Sequence, residues 1–258
     1  MNRALWIAAT GMESQQTKTD TIANNMANVN THGYKRSVAH FQDMLYQTLG
    51  MPGAGTADSE QPVGIQMGSG VRTVSVSKNF TQGNLESSSS PLDLAIEGQG
   101  FFEVELPDGR SAFTRSGSFH LNSTGEVVTS DGYRVVGFPR IGTTTTSIDI
   151  ARDGSVSTTE DGKTTEAGRI ALVRFANSEG LESLGNSLLA ETNASGAPRR
   201  GSPGESGYGT VAQSFLETSN VEIVREMVDM IASQRAYELN SKSVKTADEM
   251  LSMASNLR

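Results

Sequence analysis

The sequence predicts an α+β protein in which long N- and C-terminal helices pair as a coiled coil and a central antiparallel β domain lies between them in the chain. Residues 3–29 contain no proline and one glycine, and they repeat apolar side chains at heptad spacing. Residues 71–192 alternate apolar and polar side chains with a period of two, which is typical of half-buried strands. Residues 219–258 lack both glycine and proline, and apolar side chains again recur every seven positions.

The N-terminal helix carries two seven-residue rows that would form a coiled-coil seam. Polar side chains interrupt both rows, so the helix needs a partner to be stable. The segment 28–33, rich in Asn and ending in glycine, is expected to end the helix in a left-handed turn. The rows are Leu5, Met12, Thr19 and Met26, and Ala8, Gln15, Ile22 and Val29.

A shorter helix is expected next, within residues 37–49, and the sequence around Pro52 would end it. Residues 50–70 are rich in Gly, Pro and small polar side chains, which predicts a long loop or extended arm. Residues 37–70 would therefore form a short helix and an arm. The apolar positions that suggest this helix are Val38, Phe41, Met44, Leu45 and Leu49.

The predicted β domain spans residues 71–216. Asp-Gly pairs at 108–109, 131–132, 153–154 and 161–162 supply the turns of an antiparallel meander. A glycine-rich loop at 193–209 and an extended segment at 211–218 follow. Ser219 and Glu222 have capping-box spacing and predict the start of the last helix. Its heptad row is Ile223, Met230, Tyr237, Val244 and Leu251.

Composition limits the function. The 29 acidic residues outnumber the 21 basic ones, and the net charge of -8 disfavours binding to nucleic acid or to anionic membranes. There is no cysteine, which excludes disulfides and thiolate chemistry. The apolar run at 4–9 is too short for a secretory signal, and no run approaches the roughly 18 apolar residues of a membrane span.

No constellation of reactive side chains is evident, so we expect no enzyme, no cofactor and no metal site. The histidines at 32, 40 and 120 have no motif spacing. Asp93 and Glu97 share a strand face but would lie about 13 Å apart, too far for a glycosidase pair. Glu103 and Glu105 would lie nearer, yet they alternate with apolar residues and indicate a solvated face.

The two helices leave apolar residues beside their seams, and this surplus raises two alternatives. Contiguous apolar surface often marks an interface, so the helix pair could stack against further copies of the chain. The simpler alternative is a monomer whose terminal helices pack on the β domain, which stripes on long helices usually favour. The residues concerned are Trp6, Ile7, Val224, Val228 and Ile231.

Five segments resemble signatures of one family. Residues 22–36 resemble the N-terminal signature of bacterial flagellar rod and hook proteins, and residues 217–221 and 234–240 resemble the C-terminal one. Residues 98–102 and 114–119 are similar to landmarks of the family's β domain. The resemblance covers essentially the whole chain. Length and residues 41–47 are most similar to the distal-rod type, with a minor rod paralogue of similar length and hook-type subunits as alternatives.

The resemblance implies a structural subunit of a rigid helical tube that transmits torque and forms part of an export channel. In that tube the terminal helices, residues 1–36 and 217–258, would form the inner layer, and the β domain the outer layer. It also implies type III export without a cleavable signal and a rod that crosses the periplasm. Expected partners are further copies, proximal rod proteins, hook or hook-junction proteins, surrounding ring proteins and the export apparatus.

The assembly residues expected on the helices are mostly apolar, with two asparagines that could bridge subunits. Asn28 and Asn30 could equally only end the helix. The alternative from another class is a secreted β-rich binding module with helical ends. The helix positions are Leu5, Trp6, Met12, Ile22, Asn24, Asn25, Met26, Val29, Ile223, Met227, Met230, Ile231, Tyr237, Val244 and Leu251; the arm, which the resemblance implies braces neighbouring subunits, contributes Tyr46, Pro52, Ile65 and Met67.

Overall fold

The computed structural model describes residues 2–50, 55–56, 59–60, 64–142, 145–160, 163–205 and 207–256. The chain forms two compact units. The helical unit comprises Met1–Met26, Ser37–Ser77 and Glu222–Arg258. The β-rich unit comprises Ala27–Arg36 and Lys78–Val221.

The two long helices lie at the ends of the chain, and their prediction is confirmed. Helix α1 spans Asn2–Ala27 and helix α2 spans Ile223–Asn256. The 34 residues of α2 reach about 50 Å at 1.5 Å per residue. After α1 the chain turns through Gly33, whose φ of +71° and a backbone contact at 2.5 Å from an added Cβ leave no room for a side chain. The fold is thus a mixture of strands with a helix at each end.

The start of α2 differs from the capping-box prediction. The helix begins at Ile223, so Ser219 is not its N-cap, and the Ser219 hydroxyl instead accepts a hydrogen bond from the Val221 N–H at 3.3 Å. The neighbouring Asn220 accepts the Arg36 N–H at 2.7 Å and donates to the Asn79 carbonyl at 2.9 Å. These polar side chains bind the chain of the β-rich unit, which is why they are not available to cap the helix.

The strands of the helical unit form three two-stranded sheets. Strand β1 pairs with β6, and the pairs β2–β5 and β3–β4 are antiparallel. In chain order they are β1 (Ser37–Asp43), β2 (Gln47–Gly50), β3 (Gly55–Thr56), β4 (Ser59–Glu60), β5 (Ile65–Met67) and β6 (Val71–Lys78).

The short helix predicted within residues 37–49 is wrong, because this segment forms β1 and β2. Gln42 accepts a hydrogen bond from Arg72 at 3.0 Å, and His40 and Ser77 lie 3.0 Å apart, so β1 is held by its partner strand β6. The prediction rested on apolar side chains three or four positions apart, a spacing that does not register the partner strands of β1 and β2. The apolar Leu45, which a helix would have buried, is 91% exposed.

The β-rich unit contains the remaining strands. They are β7 (Leu85–Ser87), β8 (Leu94–Glu97), β9 (Phe102–Glu105), β10 (Ser111–Thr114), β11 (Phe119–Leu121), β12 (Val127–Thr129), β13 (Arg134–Val135), β14 (Ser147–Ile150), β15 (Ser155–Glu160), β16 (Lys163–Arg169), β17 (Leu172–Arg174), β18 (Glu182–Gly185), β19 (Leu188–Ala190), β20 (Arg199–Gly201), β21 (Thr210–Gln213) and β22 (Phe215–Glu217). One turn of 3₁₀ helix lies at Ser178–Gly180.

Antiparallel pairing organises this unit. A sheet in the order β11-β12-β13-β9-β10-β19-β18 is accompanied by a three-stranded sheet β14-β15-β16 and by the pairs β17-β20, β21-β8 and β22-β7. The last two pairs join the segment just before α2 to strands about 120 positions earlier. The residues after the glycine-rich loop are therefore extended, as predicted, and they close the unit on itself.

Two apolar clusters fill the β-rich unit. In the smaller cluster the rings of Phe113 and Phe175 meet edge to face with centroids 4.7 Å apart, a favoured aromatic geometry. The larger cluster contains fully buried side chains from both ends of the unit, including Leu94, Phe102 and Val211. The period-two alternation predicted these strands, but β8 and β9 bury three consecutive residues each, so the expectation that Glu103 lies on a solvated face is wrong.

Glu103 in β9 forms a pH-dependent ion pair with Arg200 in β20. Its almost fully buried carboxylate accepts two hydrogen bonds from Arg200, each 2.7 Å long, and one from Ser111 at 2.8 Å. The Arg200 guanidinium chiefly holds the pKa of Glu103 below its ordinary value. A depressed carboxyl pKa means that this stabilisation is present above the ordinary pKa and is lost as pH falls through the folded value.

Replacing Arg200 by glutamine is expected to lower the free energy of unfolding by about 1 kcal/mol at neutral pH, a value reduced by the exposure of Arg200. The difference from the wild type should shrink as pH falls below the ordinary carboxyl pKa and through the lowered pKa of Glu103 in the folded wild type. Urea unfolding at pH 7 and pH 3 measures both values. A difference that is equal at the two pH values would contradict the role of the ionised pair.

Candidate assembly interface

Helices α1 and α2 contact one another within the helical unit, in opposite chain directions. The Ser233 hydroxyl donates to the Gln15 carbonyl at 3.0 Å and lies 3.0 Å from the Thr19 hydroxyl. Nearer the end of α1, Asn25 Nδ2 donates to Glu226 Oε2 at 3.3 Å. Partner numbers on α2 fall as numbers on α1 rise, so the helices run antiparallel along this seam.

On the α2 side, the seam is made of small and polar side chains. Gly11 faces Asn240 so closely that an added Cβ would lie 2.9 Å from the Asn240 amide nitrogen. On α2 the positions that face the seam recur every seven residues, which brings the backbones close and ties them by hydrogen bonds. These positions are Glu226, Ser233, Asn240 and Ala247. The sequence prediction used the neighbouring apolar row, which begins at Ile223, and did not include this polar row, although the polar row has the same heptad spacing.

Asn25 belongs to the interior of the helical unit, where the structure places its amide in contacts within the chain. It is 1% exposed, its Oδ1 accepts the Ser37 N–H at 2.8 Å, and its Nδ2 donates to the Ser37 carbonyl at 2.9 Å. One side chain thus fixes the end of α1 to the start of β1. Asn24, by contrast, is exposed, and an intersubunit role for it stays a proposal.

Replacing Asn25 by aspartate is expected to lower the free energy of unfolding by about 2–4 kcal/mol. The substitution keeps the shape and the acceptor for Ser37, but it sets a carboxylate oxygen against the Ser37 carbonyl and the Glu226 carboxylate. Thermal and urea unfolding measure the loss. Gln16→Glu, the same amide-to-acid change at an exposed position of α1, should change stability by less than about 0.5 kcal/mol. Equal losses in both variants would contradict the assignment.

The outward face of α2 carries an apolar strip, here called the outer stripe: Ile223, Val224, Met227, Val228 and Ile231. Val224, Val228 and Ile231 are 70%, 61% and 56% exposed. Two residues along a helix rotate by about 200°, so Val224 and Val228 point away from Glu226, which lies in the seam between them. The first part of α2 is therefore apolar on a face that α1 does not cover.

The other predicted assembly residues fall into three groups. The exposed ones are Trp6, Asn24, Ile223, Met227, Ile231 and Tyr237. Ile22 is buried like Asn25. The half-buried ones are Leu5, Met12, Met26, Val29, Met230, Val244 and Leu251. The set is thus split between the seam and the solvent-facing surface.

The arm residues also lie at the surface. Tyr46, Ile65 and Met67 are each about half exposed, and Pro52 lies outside the described residues. Arg3 of α1 donates to the Gln47 side chain at 2.7 Å and to the Met67 carbonyl at 2.9 Å. The ribbon formed by β2 and β5 is therefore tied to the first turn of α1.

Three of the signature segments meet in one buried ion network of the β-rich unit. Lys35 Nζ lies 2.6 Å from Glu217 Oε1, and Arg115 Nε lies 3.4 Å from Glu217 Oε2. The Gly83 N–H donates to the same Oε1 at 2.9 Å, and the Gly33 N–H donates to the Glu217 carbonyl at 2.8 Å. Burial lowers the pKa of Lys35, and the Glu217 carboxylate opposes this shift. The network fixes the turn after α1 to the strand that precedes α2.

No metal-binding group of side chains and no helix suited to crossing a membrane occurs in the residues that the structure describes. Three family models match the chain. Residues 5–35 match the model described as flagella basal body rod protein, residues 95–158 the flagellar hook protein FlgE/F/G D1 domain, and residues 212–257 the flagellar basal body rod FlgEFG protein C-terminal. The first match covers α1 from residue 5 onward and the third covers α2, which places the chain in the class of flagellar rod and hook proteins.

Relatives that match over their full length identify the family within this class. The chain is 46% identical to the flagellar basal-body rod protein FlgG of Buchnera aphidicola (98% of this chain, 99% of the relative), 47% to that of Agrobacterium fabrum (98% and 98%) and 46% to that of Borreliella burgdorferi (100% and 99%). The chain therefore belongs to the FlgG family of flagellar basal-body rod proteins. It is a structural subunit of the distal rod in the flagellar basal body, which confirms the resemblance seen in the sequence.

Proposed function

We propose that this subunit polymerises into a rigid helical tube through its terminal helices, and that the tube transmits torque from the motor to the hook. The observation that carries the proposal is the outer stripe. Fully burying a valine or isoleucine side chain contributes about 1.5–3 kcal/mol, so covering even half of five such side chains would contribute several kcal/mol per contact. A chain that left this face in water would lose that stabilisation.

The antiparallel helix pair would act as a two-stranded coiled coil and form the inner layer of the tube. Its heptad spacing and the hydrogen bonds at Ser233 support this arrangement. We propose that α1 and α2 form the helical domain, that residues 37–70 form the bracing arm and that the β-rich unit, Ala27–Arg36 and Lys78–Val221, forms the outer domain. The exposed apolar side chains of the arm support a contact with a neighbouring subunit.

The other proposed partners are the proteins that would adjoin this subunit in the rod. Proximal rod proteins and hook or hook-junction proteins would bind the two ends of the tube, and ring proteins would surround it where the rod crosses the periplasm. The chain would reach this place through the type III export apparatus, and its own tube would extend that channel. Family membership supports these partners as components of the same structure.

Electron microscopy of the purified full-length chain over a series of concentrations tests the polymer. Straight tubes above a critical concentration are the expected result, because a heterologous contact that does not close into a ring propagates as a helix. Sedimentation of the same samples measures that concentration. A chain that stays monomeric at every concentration, with its helices intact by circular dichroism, would overturn the proposal.

A further inference from the structure

A cavity of about 210 Å³ opens in the β-rich unit beside the buried ion network. One side is formed by the turn after α1, another by the β18–β19 hairpin, and Phe80, Leu188 and Leu189 add apolar wall. Three cationic side chains, Lys35, Lys78 and Arg115, line it. No acidic residue among the described positions does so. The cavity is large enough for a small organic group.

The cations around this cavity exceed the negative charge that the chain supplies. Glu217 is the carboxylate shared by Lys35 and Arg115. Lys78 is without a carboxylate partner in the described part of the chain, and its ammonium lies 5.6 Å from the ring centre of Tyr34. Burial lowers the pKa of Lys78, as expected where no anion offsets the loss of water.

Arg115 also lacks a full set of acceptors beside this cavity. The residue is only 5% exposed, its Nε pairs with Glu217, and its Nη2 donates to the Gly98 carbonyl at 2.8 Å. Its Nη1 is buried and has no hydrogen-bond partner, and the facing Glu217 Oε2 also has none. A buried guanidinium nitrogen without an acceptor is unfavourable, and a bound anion would satisfy it.

We propose that this cavity is an anion-binding site that takes a carboxylate carried on a short aliphatic chain. Lys78 and Arg115 Nη1 would bind the carboxylate oxygens, and the apolar wall would contact the chain that carries them. The net charge of -8 makes acidic side chains abundant on other copies of this protein, and a free small carboxylate offers the same chemistry. Only the second-copy source rests on the proposed polymer; the site itself does not.

Titration of the full-length chain with N-acetyl-glutamate methylamide tests the site, with the uncharged glutamine analogue as the matched ligand. Isothermal titration calorimetry is expected to give a dissociation constant in the millimolar range for the glutamate analogue, and none for the glutamine analogue. Lys78→Gln should weaken binding at least about tenfold. Lys163→Gln removes the same charge from an exposed strand and should leave binding unchanged.

Ser183→Glu gives a second variant, because it places a carboxylate at the cavity wall without removing a cation, and it should also abolish binding. Melting curves establish that each variant is folded. Absence of binding tighter than ~10 mM, equal binding of both analogues, or undiminished binding by Lys78→Gln and Ser183→Glu would overturn the proposal.

The concentration required for assembly separates the two sources. If Lys78→Gln weakens ligand binding and raises this concentration while Lys163→Gln does not, the carboxylate comes from a second copy. If Lys78→Gln weakens ligand binding and leaves assembly unchanged, the site takes a free small carboxylate. Failure of the wild-type chain to assemble would count against the polymer alone, since the ligand titration is performed on the unassembled chain.

Discussion

Replacing Glu217 by glutamine is expected to lower the free energy of unfolding of the β-rich unit by about 3–5 kcal/mol. Glu217 is the shared anion of Lys35 and Arg115, and both cations are almost fully buried. The neutral amide can still accept the Gly83 N–H, but it leaves two buried cations without a counter-charge. Equilibrium urea unfolding followed by the near-ultraviolet signal measures the loss.

The loss should also depend on pH, with a defined sign. Burial already lowers the pKa of Lys35, and removing Glu217 removes the interactions that oppose this shift. The folded variant then binds fewer protons than the unfolded chain in the range below the ordinary lysine pKa. Its stability therefore rises with pH through that range, and the difference from the wild type narrows. A difference that is constant or widens on going from pH 7 to pH 9.5 would contradict the buried-charge explanation.

Glu86→Gln is the matched control for this prediction. Glu86 lies on β7, which pairs with the strand that carries Glu217, but its side chain is exposed. The same neutralisation there should change stability by less than about 0.5 kcal/mol. A loss as large as that of Glu217→Gln would mean that reduced negative charge, and not the network, is responsible.

Much of the fold could be predicted from sequence because its signals are local and long. The terminal helices are 26 and 34 residues long and contain no proline, so their periodicity distinguishes them clearly from strands. The Asp-Gly pairs at 108–109 and 131–132 lie where the chain turns, with positive φ at both glycines. The helix predicted within residues 37–49 was wrong because apolar side chains three or four positions apart suit a helix, whereas pairing of β1 with β6 and of β2 with β5 makes this segment two strands.

The candidate sites were harder to predict, for two physical reasons. The seam row on α2 consists of Glu226, Ser233, Asn240 and Ala247, and a search for apolar heptads passes over such residues. The ion network joins positions 35, 115 and 217, which no local pattern relates, and buries charges that composition assigns to the surface. The outer stripe was predicted in part. The sequence shows that Val224, Val228 and Ile231 are apolar and lie beside the heptad row, but only the structure shows that they are exposed.

Replacing Val228 by glutamate is expected to raise the concentration required for assembly at least about a hundredfold, or to abolish tubes. Val228 lies in the middle of the outer stripe, and its side chain is 61% exposed in the single chain. A neighbouring copy that covered this face would remove the new carboxylate from water without a partner. Sedimentation and electron microscopy of the full-length variant measure the effect.

Val228→Ile provides the matched control, because it keeps the same position apolar and should assemble as the wild type does. The glutamate variant should fold normally, with a change in unfolding free energy below about 0.5 kcal/mol, since the side chain already faces solvent. Two results would contradict the role of the stripe. Assembly of Val228→Glu at the wild-type concentration would mean that no copy covers this face. A loss of stability above about 2 kcal/mol in the unassembled chain would mean that the stripe packs within the chain, as the monomer alternative requires.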